Sequence, residues 1–267
     1  MEQVERLLSY MKTIGSNSTI QEKQTRHRLK LIESFKIIPG SKVLEIGSGQ
    51  GDTTVVLADY VGDQGHVTAI DIASPEYGAP LTLKQATDYI AASEIGHRIS
   101  FLFETNILDD TFNEKFDVAI LSHSLFYFKS YQELSDLFEK LKTICNRICL
   151  ADWDLDYKDL SQAAHAQAIL LQSLFAEYNK SENNIQLTIT KEIITDLLIH
   201  AGWEIEYTDV VDASTLDDGK WEVAITNDLD VKEIQELFTA YKKQMNRAVE
   251  LSGINSLNSF VITASCT

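Results

Sequence analysis

The stretch that decides the fold is Val43-Leu44-Glu45-Ile46-Gly47-Ser48-Gly49-Gln50-Gly51-Asp52. An apolar strand with an embedded acid runs straight into three glycines at alternate positions. Glycine lets the backbone turn sharply and approach a ligand closely. A strand, a glycine-rich turn and a helix N-terminus form the first crevice of a doubly wound sheet. The stretch therefore predicts an α/β fold with a ligand site at this turn.

The glycine spacing indicates which ligand the turn binds. Dinucleotide-binding turns read G-x-G-x-x-G, whereas this chain reads G-x-G-x-G, with Glu45 two residues before the first glycine. A carboxylate there would repel a pyrophosphate but suits a cofactor that carries an ammonium group. The pattern favours S-adenosylmethionine over a nicotinamide cofactor.

A second acid supports this interpretation. The segment 66–72 is predicted to be another strand, and its Asp71 follows Gly51 by 20 residues. An acid at the end of the second strand can accept both ribose hydroxyls of an adenosine. Either carboxylate alone is more often a solvated residue at a strand end, but the two together, in this order, favour a cofactor site.

From about residue 25 onward the chain resembles the class I S-adenosylmethionine-dependent methyltransferases, on the strength of Glu45, the three glycines and Asp71. The segments 49–52, 74–80 and 122–128 are more narrowly similar to one microbial group of such enzymes. The resemblance implies S-adenosyl-L-methionine as cofactor. It implies a cofactor site of Arg26, Glu45, Gly47, Ser48, Gly49, Gly51, Asp71, Ile72, Asn106, Ile107, Ser122 and His123.

Several of these positions have specific roles in the family. Ile72 matches the apolar residue that packs on the adenine. Asn106 stands where the family usually has an aspartate facing the adenine amino group, and an amide oxygen can still accept that hydrogen bond. Arg26 lies where many members contact the cofactor carboxylate, but in the run 26–28 (Arg-His-Arg) any of the three residues could fill that role.

Alternation of short apolar runs with helices predicts a Rossmann-like, doubly wound, mostly parallel seven-stranded sheet with helical lid insertions. Ser or Thr, or an aspartate, followed three residues later by Glu or Gln predicts helix starts at Thr19, Thr82, Ser130 and Asp230. The predicted strands are 42–46, 66–72, 99–104, 116–121 and 147–151, then 203–207 and 260–264, the last inserted antiparallel.

We expect one domain over residues 1–267, with the cofactor-binding half at 36–156. Residues 1–35 and the insertions 157–186 and 212–256 are candidates for a lid over the substrate, or equally for helices packed on the sheet edge. The insertions each contain a predicted helix with an apolar stripe. The stripes are Leu160, Ala164, Ala168, Leu171, Phe175 and Tyr178, and Val231, Ile234, Phe238, Tyr241, Met245 and Ala248.

The candidate catalytic residues are His123 and Asp152, at the ends of the fourth and fifth strands. Ligands of open α/β sheets lie beyond these strand ends, and imidazole titrates near the working pH of most enzymes. In the alternative, His123 only packs beside the methionine part of the cofactor and Asp152 is a solvated acid. Tyr127 and Trp153 could form an aromatic wall, and His165 could reach in from a lid.

Composition excludes several classes of protein. The net charge of −17 argues against sequence-independent binding of nucleic acid, which needs clustered Lys and Arg. Three cysteines without metal-type pairing, the absence of a signal sequence and the lack of a long apolar run predict a cytoplasmic protein that does not enter membranes. Ser122 and His123 leave the oxygen ligand set of a magnesium site incomplete, so no metal is expected.

The sequence therefore predicts an S-adenosylmethionine-dependent methyltransferase acting on a small molecule. A protein methyltransferase and a catalytically inactive, cofactor-binding regulatory protein are the alternatives. The identity of the methyl acceptor, the type of atom methylated, the use of a general base and the oligomeric state are left open.

Overall fold

The computed structural model describes residues 2–12, 18–109, 114–179 and 185–266. Seven strands form one sheet in the order β3-β2-β1-β4-β5-β7-β6. The strands are β1 (Lys42–Ile46), β2 (His66–Ile70), β3 (Ile99–Leu102), β4 (Val118–Ser122), β5 (Arg147–Trp153), β6 (Glu204–Val211) and β7 (Ser259–Ser265). Strands β1 to β5 pair in parallel, and β7 runs antiparallel to both β5 and β6. The predicted fold class is confirmed, including the antiparallel last strand.

Helices connect these strands along the chain. They are α1 (Gln3–Ser9), α2 (Ser18–Phe35), α3 (Asp52–Val61), α4 (Leu83–Ala91), α5 (Tyr131–Lys142), α6 (Ala163–Asn179), α7 (Lys191–His200), α8 (Asp218–Asp228) and α9 (Gln235–Ser252). Within the described ranges, none of these helices is long and apolar enough to cross a membrane.

The capping predictions had mixed outcomes. Thr82 forms a full capping box with Gln85, and the Ser130 hydroxyl caps α5. The prediction at Asp230 is wrong. A single 3₁₀ turn, Lys232–Ile234, precedes α9, whose N-cap is Ile234 without a side-chain hydrogen bond. Helix α2 begins at Ser18, so Thr19 lies inside the first turn rather than at the cap.

Predicted strand boundaries were accurate to within three residues for the parallel strands. Strand β5 runs two residues beyond the prediction because its end pairs with the start of β7, where Trp153 lies opposite Ser259. Since β7 is antiparallel, its N-terminal end lies at the same edge of the sheet as the C-terminal ends of β4 and β5. This pairing brings a third strand to the expected ligand edge.

The two faces of the sheet have different helical covers. On one face α2 and α3 pack in a common core, in which Leu31, Ile32 and Phe35 are fully buried. Helix α2, which is the second half of the N-terminal segment 1–35, is therefore part of the core. On the other face α5, α7 and the inner side of α6 contribute to a second core, which includes Phe138 and Ile169.

The helices of the two insertions form a third cluster at one end of the sheet. Helices α6, α8 and α9 pack together around Ala168, Leu171, Phe238 and Met245, which belong to the two predicted stripes. The stripe predictions are wrong at three positions, because Leu160 lies before α6 and the Tyr178 and Tyr241 side chains are also exposed. Closure of this cluster over a ligand stays a prediction.

Candidate active site

The glycine turn lies at the C-terminal end of β1 and is held by β2. The backbone N–H groups of Gly47 and Ser48 donate to the Ile70 carbonyl at 2.9 and 3.1 Å. Gly47 has φ +78°, and a Cβ there would lie 2.7 Å from the Ser124 Cβ. At Gly49 (φ +52°) a Cβ would meet nothing within 4 Å among the described residues. A side chain at Gly47 would thus clash with Ser124, whereas the space beside Gly49 is open among the described residues.

Glu45 lies beneath this turn as a buried carboxyl group. It is 2% exposed, and the Thr54 hydroxyl donates to its Oε2 at 2.6 Å. Desolvation raises the pKa of Glu45 to about 8, against the hydrogen bond from Thr54 and the nearby Arg28 charge, which lower it. A buried carboxyl group with one neutral donor is the kind of site that an arriving cation would ionise.

Asp71 fixes the turn from the side of β2. Its Oδ2 accepts the Gly49 N–H at 2.8 Å and its Oδ1 accepts the Ala73 N–H at 2.9 Å. The neighbouring Ile72 is 71% exposed, an unusual position for a large apolar side chain beside a polar turn. The Asp71 carboxylate and the exposed Ile72 side chain are therefore neighbours directly after the end of β2.

The remaining predicted cofactor residues differ in how they face this turn. Asn106 is half-buried, and its Oδ1 accepts the Leu108 N–H at 3.0 Å. Ile107 is buried in the core, so its side chain is not available to a ligand. The Ser48 hydroxyl is buried and has no hydrogen-bond partner within the described part of the chain. Ser122 is half-buried at the last position of β4.

Arg26 does not point to the glycine turn. It is half exposed and pairs with Glu22 at 2.8 Å and with Glu2 at 3.6 Å. Arg28 instead donates to the Thr53 hydroxyl at 3.2 Å and lies 3.6 Å from Asp52, at the start of α3. Because Arg26 and Arg28 are two residues apart on a helix, they face different sides. Of the three residues left open by the sequence, Arg28 reaches the turn.

His123 directly follows β4 and has a left-handed backbone, with φ +54°. Such conformations are uncommon outside glycine and cluster at functional sites. Its side chain is 27% exposed, and its Nε2 lies 3.0 Å from the Ser259 hydroxyl at the start of β7. His123 therefore lies partly exposed at the C-terminal edge of the sheet, with one ring nitrogen bonded to the protein.

Asp152 lies beside His123 but is 1% exposed. Its Oδ2 accepts the Leu125 N–H at 3.0 Å and its Oδ1 accepts the Trp153 N–H at 2.9 Å. The Oδ1 is 3.5 Å from the His123 Nδ1. The structure thus brings both predicted catalytic residues together, but Asp152 faces His123 and peptide groups rather than open space.

Aromatic and histidine rings from β5 and α6 lie near His123. The Trp153 ring centroid lies 5.8 Å from that of His123 and 4.9 Å from that of His165, which is fully buried on α6. Tyr127 is 58% exposed, yet the pKa of its phenol is raised to about 12, by desolvation first and then by Glu222, Asp152 and Asp71.

The sequence interpretation missed two groups near His123, which are His27 and Ser259, and a buried acid on α8, Glu222. His27 on α2 has its Nε2 3.0 Å from the Ser259 hydroxyl, and Ser259 is fully buried. Glu222 on α8 is also buried, with Gln172 donating to its Oε2 at 2.7 Å. The sequence pointed to His27 only as one of three candidates in the run 26–28 for contacting the cofactor carboxylate. No group of three or more His, Cys, Asp or Glu side chains that could hold a metal is present among residues 2–12, 18–109, 114–179 and 185–266.

Known proteins resemble this chain over its whole length. The methyltransferase domain family matches residues 43–147, and the protein-L-isoaspartate(D-aspartate) O-methyltransferase family matches residues 5–80. The crystal structure of a cyclopropane-fatty-acyl-phospholipid synthase-like protein from Lactobacillus casei ATCC 334 is 36% identical. It has a TM-score of 0.90, and the match covers 99% of each chain.

More distant relatives share the domain or the fold. Methyltransferase phomM of Diaporthe leptostromiformis is 27% identical over 232 residues, which is 72% of this chain and 58% of the fungal protein. The chain therefore spans little more than half of that relative. Geranyl diphosphate C-methyltransferase from Streptomyces coelicolor A3(2), in complex with S-adenosyl-L-homocysteine, has 10% identity and a TM-score of 0.55, covering 97% of this chain and 84% of that chain. That likeness shows the fold alone.

Three findings support the same family assignment. They are the relative that matches the full length, the match to the methyltransferase domain, and the glycine turn with its two carboxylates. The chain belongs to the class I S-adenosylmethionine-dependent methyltransferases.

Proposed function

We propose that this chain transfers the methyl group of S-adenosylmethionine to a small-molecule nucleophile in the cleft above β1, β2, β4 and β5. The observation that carries the proposal is the glycine turn, where the Asp71 carboxylate bonds the Gly49 amide beside the buried Glu45. His123 faces the same cleft from the end of β4. The proposed cofactor wall (Glu45, the glycine turn and Asp71) and the proposed acceptor wall (His123 with Ser259 and His27) would thus meet at one edge of the sheet, as in open α/β sheets generally.

Each residue at the turn would receive one part of the cofactor. Glu45 would receive the ammonium group, Asp71 the ribose hydroxyls and the exposed Ile72 the adenine face. Arg28, rather than Arg26, would attract the carboxylate, because Arg28 lies near Asp52 at the start of α3. The open position above Gly49 and the unpartnered Ser48 hydroxyl, taken over the described residues, leave room and a hydrogen-bonding group for the methionine part.

In this reaction the protein would mainly position the reactants. The cofactor supplies a methyl group on a sulfonium that is already activated. The chain's own residues would align the acceptor with that methyl group, which is a source of large effective molarity. His123 would accept a proton from an acceptor that must lose one, with the Asp152 carboxylate 3.5 Å away to stabilise the resulting imidazolium.

Two features favour a small acceptor. The His123 ring lies among side chains that are themselves buried, including His27, Ser259 and Asp152, so a folded protein surface would not reach the ring easily. The net charge of −17 disfavours nucleic acid. An acceptor that enters between the α6–α8–α9 cluster and the sheet would contact Trp153 and Tyr127, as apolar or aromatic molecules do in ligand sites.

Two measurements test this function. Calorimetry should detect S-adenosylmethionine and S-adenosylhomocysteine but not NAD. The Asp71→Ala variant should weaken cofactor binding by about 1.5–3 kcal/mol, the range for loss of a charged hydrogen-bond partner. Asp63→Ala is the matched control, because Asp63 is an exposed carboxylate that pairs with Arg98 away from the turn. Unchanged affinity in Asp71→Ala would remove the ribose assignment.

The acceptor is then sought by release of S-adenosylhomocysteine across a panel of small phenols, carboxylic acids, amines and thiols, with denatured and native proteins as a second panel. Turnover on small molecules alone supports the proposal. Turnover on proteins alone would replace it with a protein methyltransferase. Tight cofactor binding without turnover on either panel would favour a regulatory cofactor-binding protein.

A further inference from the structure

A groove with a volume of about 640 Å³ lies between α6, α9, the start of α5 and the segment 186–188. This volume is within the range of roughly 300–1,000 Å³ that small-molecule sites have. The described side chains that line the groove number twelve, fewer than the roughly 20–30 residues that each partner contributes to a stable protein interface. The groove therefore has the dimensions of a small-molecule site rather than of a protein-docking surface.

The groove is separate from the proposed active site. Leu170 and Leu174 lie five and nine residues after His165 on α6, and at 3.6 residues per turn they point away from it. The His165 ring faces the Trp153 ring, with 4.9 Å between their centroids, whereas Leu170 and Leu174 line the groove. The two sites thus use opposite sides of one helix.

Leucine side chains give the groove an apolar surface. Leu171 is 3% exposed and belongs to the core that α6, α8 and α9 share. Leu170 and Leu174 beside it are 45% and 37% exposed, and Leu187 adds an apolar side chain from the segment 186–188. Water in contact with these side chains is released when an apolar body covers them. The groove therefore favours a ligand with an apolar body.

Two hydrogen bonds hold the walls of the groove in place. The Tyr131 hydroxyl at the start of α5 donates to the Thr188 carbonyl at 2.7 Å, and the Gln186 N–H donates to the Phe126 carbonyl at 2.8 Å. Desolvation raises the pKa of Tyr131, so its phenol stays protonated and remains a donor. The segment 186–188 is thus tied to α5 and to the turn before it, and a preformed site loses less conformational freedom on binding.

Charge selects among apolar ligands. Glu177 is the single charged side chain among the described residues that line the groove, and it is exposed. An anionic group would leave water without a cation to pair with, which is costly, in a chain of net charge −17. A cationic group could approach Glu177, but an exposed ion pair contributes little. The other polar side chains of the lining are neutral amides and hydroxyls, which suit an uncharged hydrogen-bonding group.

We propose that this groove is a second ligand site, which binds an uncharged small molecule with an apolar body and a hydrogen-bonding group. The apolar body covers Leu170, Leu171, Leu174 and Leu187, and the polar group bonds to the amides and hydroxyls of the lining. The site does not depend on the proposed function, because it shares no residue with the glycine turn or with the His123 cluster. Failure of one proposal therefore leaves the other standing.

Two dyes with the same aromatic skeleton test the proposal. N-phenyl-1-naphthylamine is uncharged, and 8-anilino-1-naphthalenesulfonate adds a sulfonate to that skeleton. In fluorescence titrations the uncharged dye should bind saturably, with one dye per chain, and the sulfonate dye should bind about tenfold more weakly or worse. The affinity for the uncharged dye should be the same with and without S-adenosylhomocysteine, since the groove lies away from the glycine turn.

Substitutions then locate the dye. Leu170→Gln and Leu174→Gln should each weaken binding of the uncharged dye roughly fourfold or more, the factor that one buried methylene group contributes. Both leucines are partly exposed, so the fold should tolerate the change. Ile199→Gln is the matched control, because Ile199 is 53% exposed on α7 and does not line the groove. It should bind the dye as the parent does.

Four results would overturn the proposal. They are a lack of saturable binding of the uncharged dye, equal affinity for the two dyes, displacement of the dye by S-adenosylhomocysteine, and undiminished affinity in both folded leucine variants. Light scattering tests the other occupant: a dimer that Leu170→Gln converts to a monomer would make the groove a subunit interface and equally overturn the proposal. Should the variants not fold, leucine-methyl NMR of the unmodified protein decides, because the dye should shift the methyl signals of the groove leucines.

Discussion

The two walls of the proposed cleft are built from different parts of the chain. The cofactor wall comes from one strand–turn–helix–strand unit, and the Gly49 amide and the Asp71 carboxylate that define it are 22 positions apart. The acceptor wall joins α2, β4 and β7, so that Ser259 contacts His123 across 136 positions and His27 across 232 positions. The first wall uses mostly peptide N–H groups and carboxylates, and the second uses side chains of separate elements.

This difference assigns cofactor binding to one wall and selectivity for the acceptor to the other. Peptide groups in a glycine turn have a geometry set by the backbone, which suits a cofactor that is always the same. Side chains from distant helices and loops can be exchanged without disturbing the sheet, which suits an acceptor that differs between enzymes. Changes to one wall should therefore leave the function of the other intact.

The largest expected effect is on the acceptor wall. His123→Ala should lower turnover by about 10²–10⁴-fold, the usual contribution of a positioned base. Cofactor affinity should change little, because Glu45, the glycine turn and Asp71 stay in place. Turnover at saturating cofactor and acceptor, together with calorimetry, measures the two effects separately.

His200→Ala is the control for this variant, because His200 lies exposed at the end of α7 and its Nδ1 contacts the Asp196 carbonyl. The opposite pattern, weakened cofactor binding with nearly full turnover at saturation, would place His123 on the cofactor wall. Asp152→Asn is a less clean test, since both Asp152 oxygens accept peptide N–H groups and the amide would leave one of them without an acceptor.

The next effect concerns the pH dependence of cofactor binding. The pKa of Glu45 is about 8 in the cofactor-free protein because the group is desolvated. An ammonium group placed against it favours the ionised form and lowers this pKa. Binding therefore releases a proton between the lowered value and about pH 8. By linkage, affinity for S-adenosylhomocysteine should rise with pH in that window, by up to about tenfold per pH unit, and level off above it.

Calorimetry in buffers of different ionisation enthalpy counts the protons released. Glu45→Gln should bind more weakly and release none, since its side chain does not titrate. Methylthioadenosine, which has no ammonium group, should show no proton release even with the unmodified protein. Equal proton release by both ligands would mean that Glu45 does not meet the ammonium group.

The cofactor wall could be predicted from sequence because its causes are local. Glu45, the glycines and Asp71 lie within one short unit whose geometry follows from strand, turn and helix. The seven-stranded sheet and the antiparallel β7 followed from the resemblance together with the alternation of elements. The failed cap at Asp230 has a local cause as well, because a 3₁₀ turn separates that residue from α9.

The acceptor wall could be predicted only in part. His123 and Asp152 were found because strand ends are visible in the sequence. Ser259 was not, because its position beside His123 depends on the pairing of β7 with β5, in which Ser259 lies opposite Trp153. His27 depends in addition on the packing of α2 against the sheet. Such contacts are fixed by tertiary packing, and no periodicity in the sequence encodes them.

The smallest expected effect separates Arg28 from Arg26 on the same helix. Arg28→Met should weaken S-adenosylhomocysteine binding about two- to fivefold, the size of a partly exposed ion pair, because Arg28 lies beside Thr53 and Asp52 at the turn. Arg26→Met is the matched variant and should bind normally, since Arg26 pairs with Glu22 on another side of α2. Methylthioadenosine, which also lacks the carboxylate, should bind both variants equally well. A loss confined to Arg26→Met would return the carboxylate contact to Arg26 and require α2 to rotate when the cofactor binds.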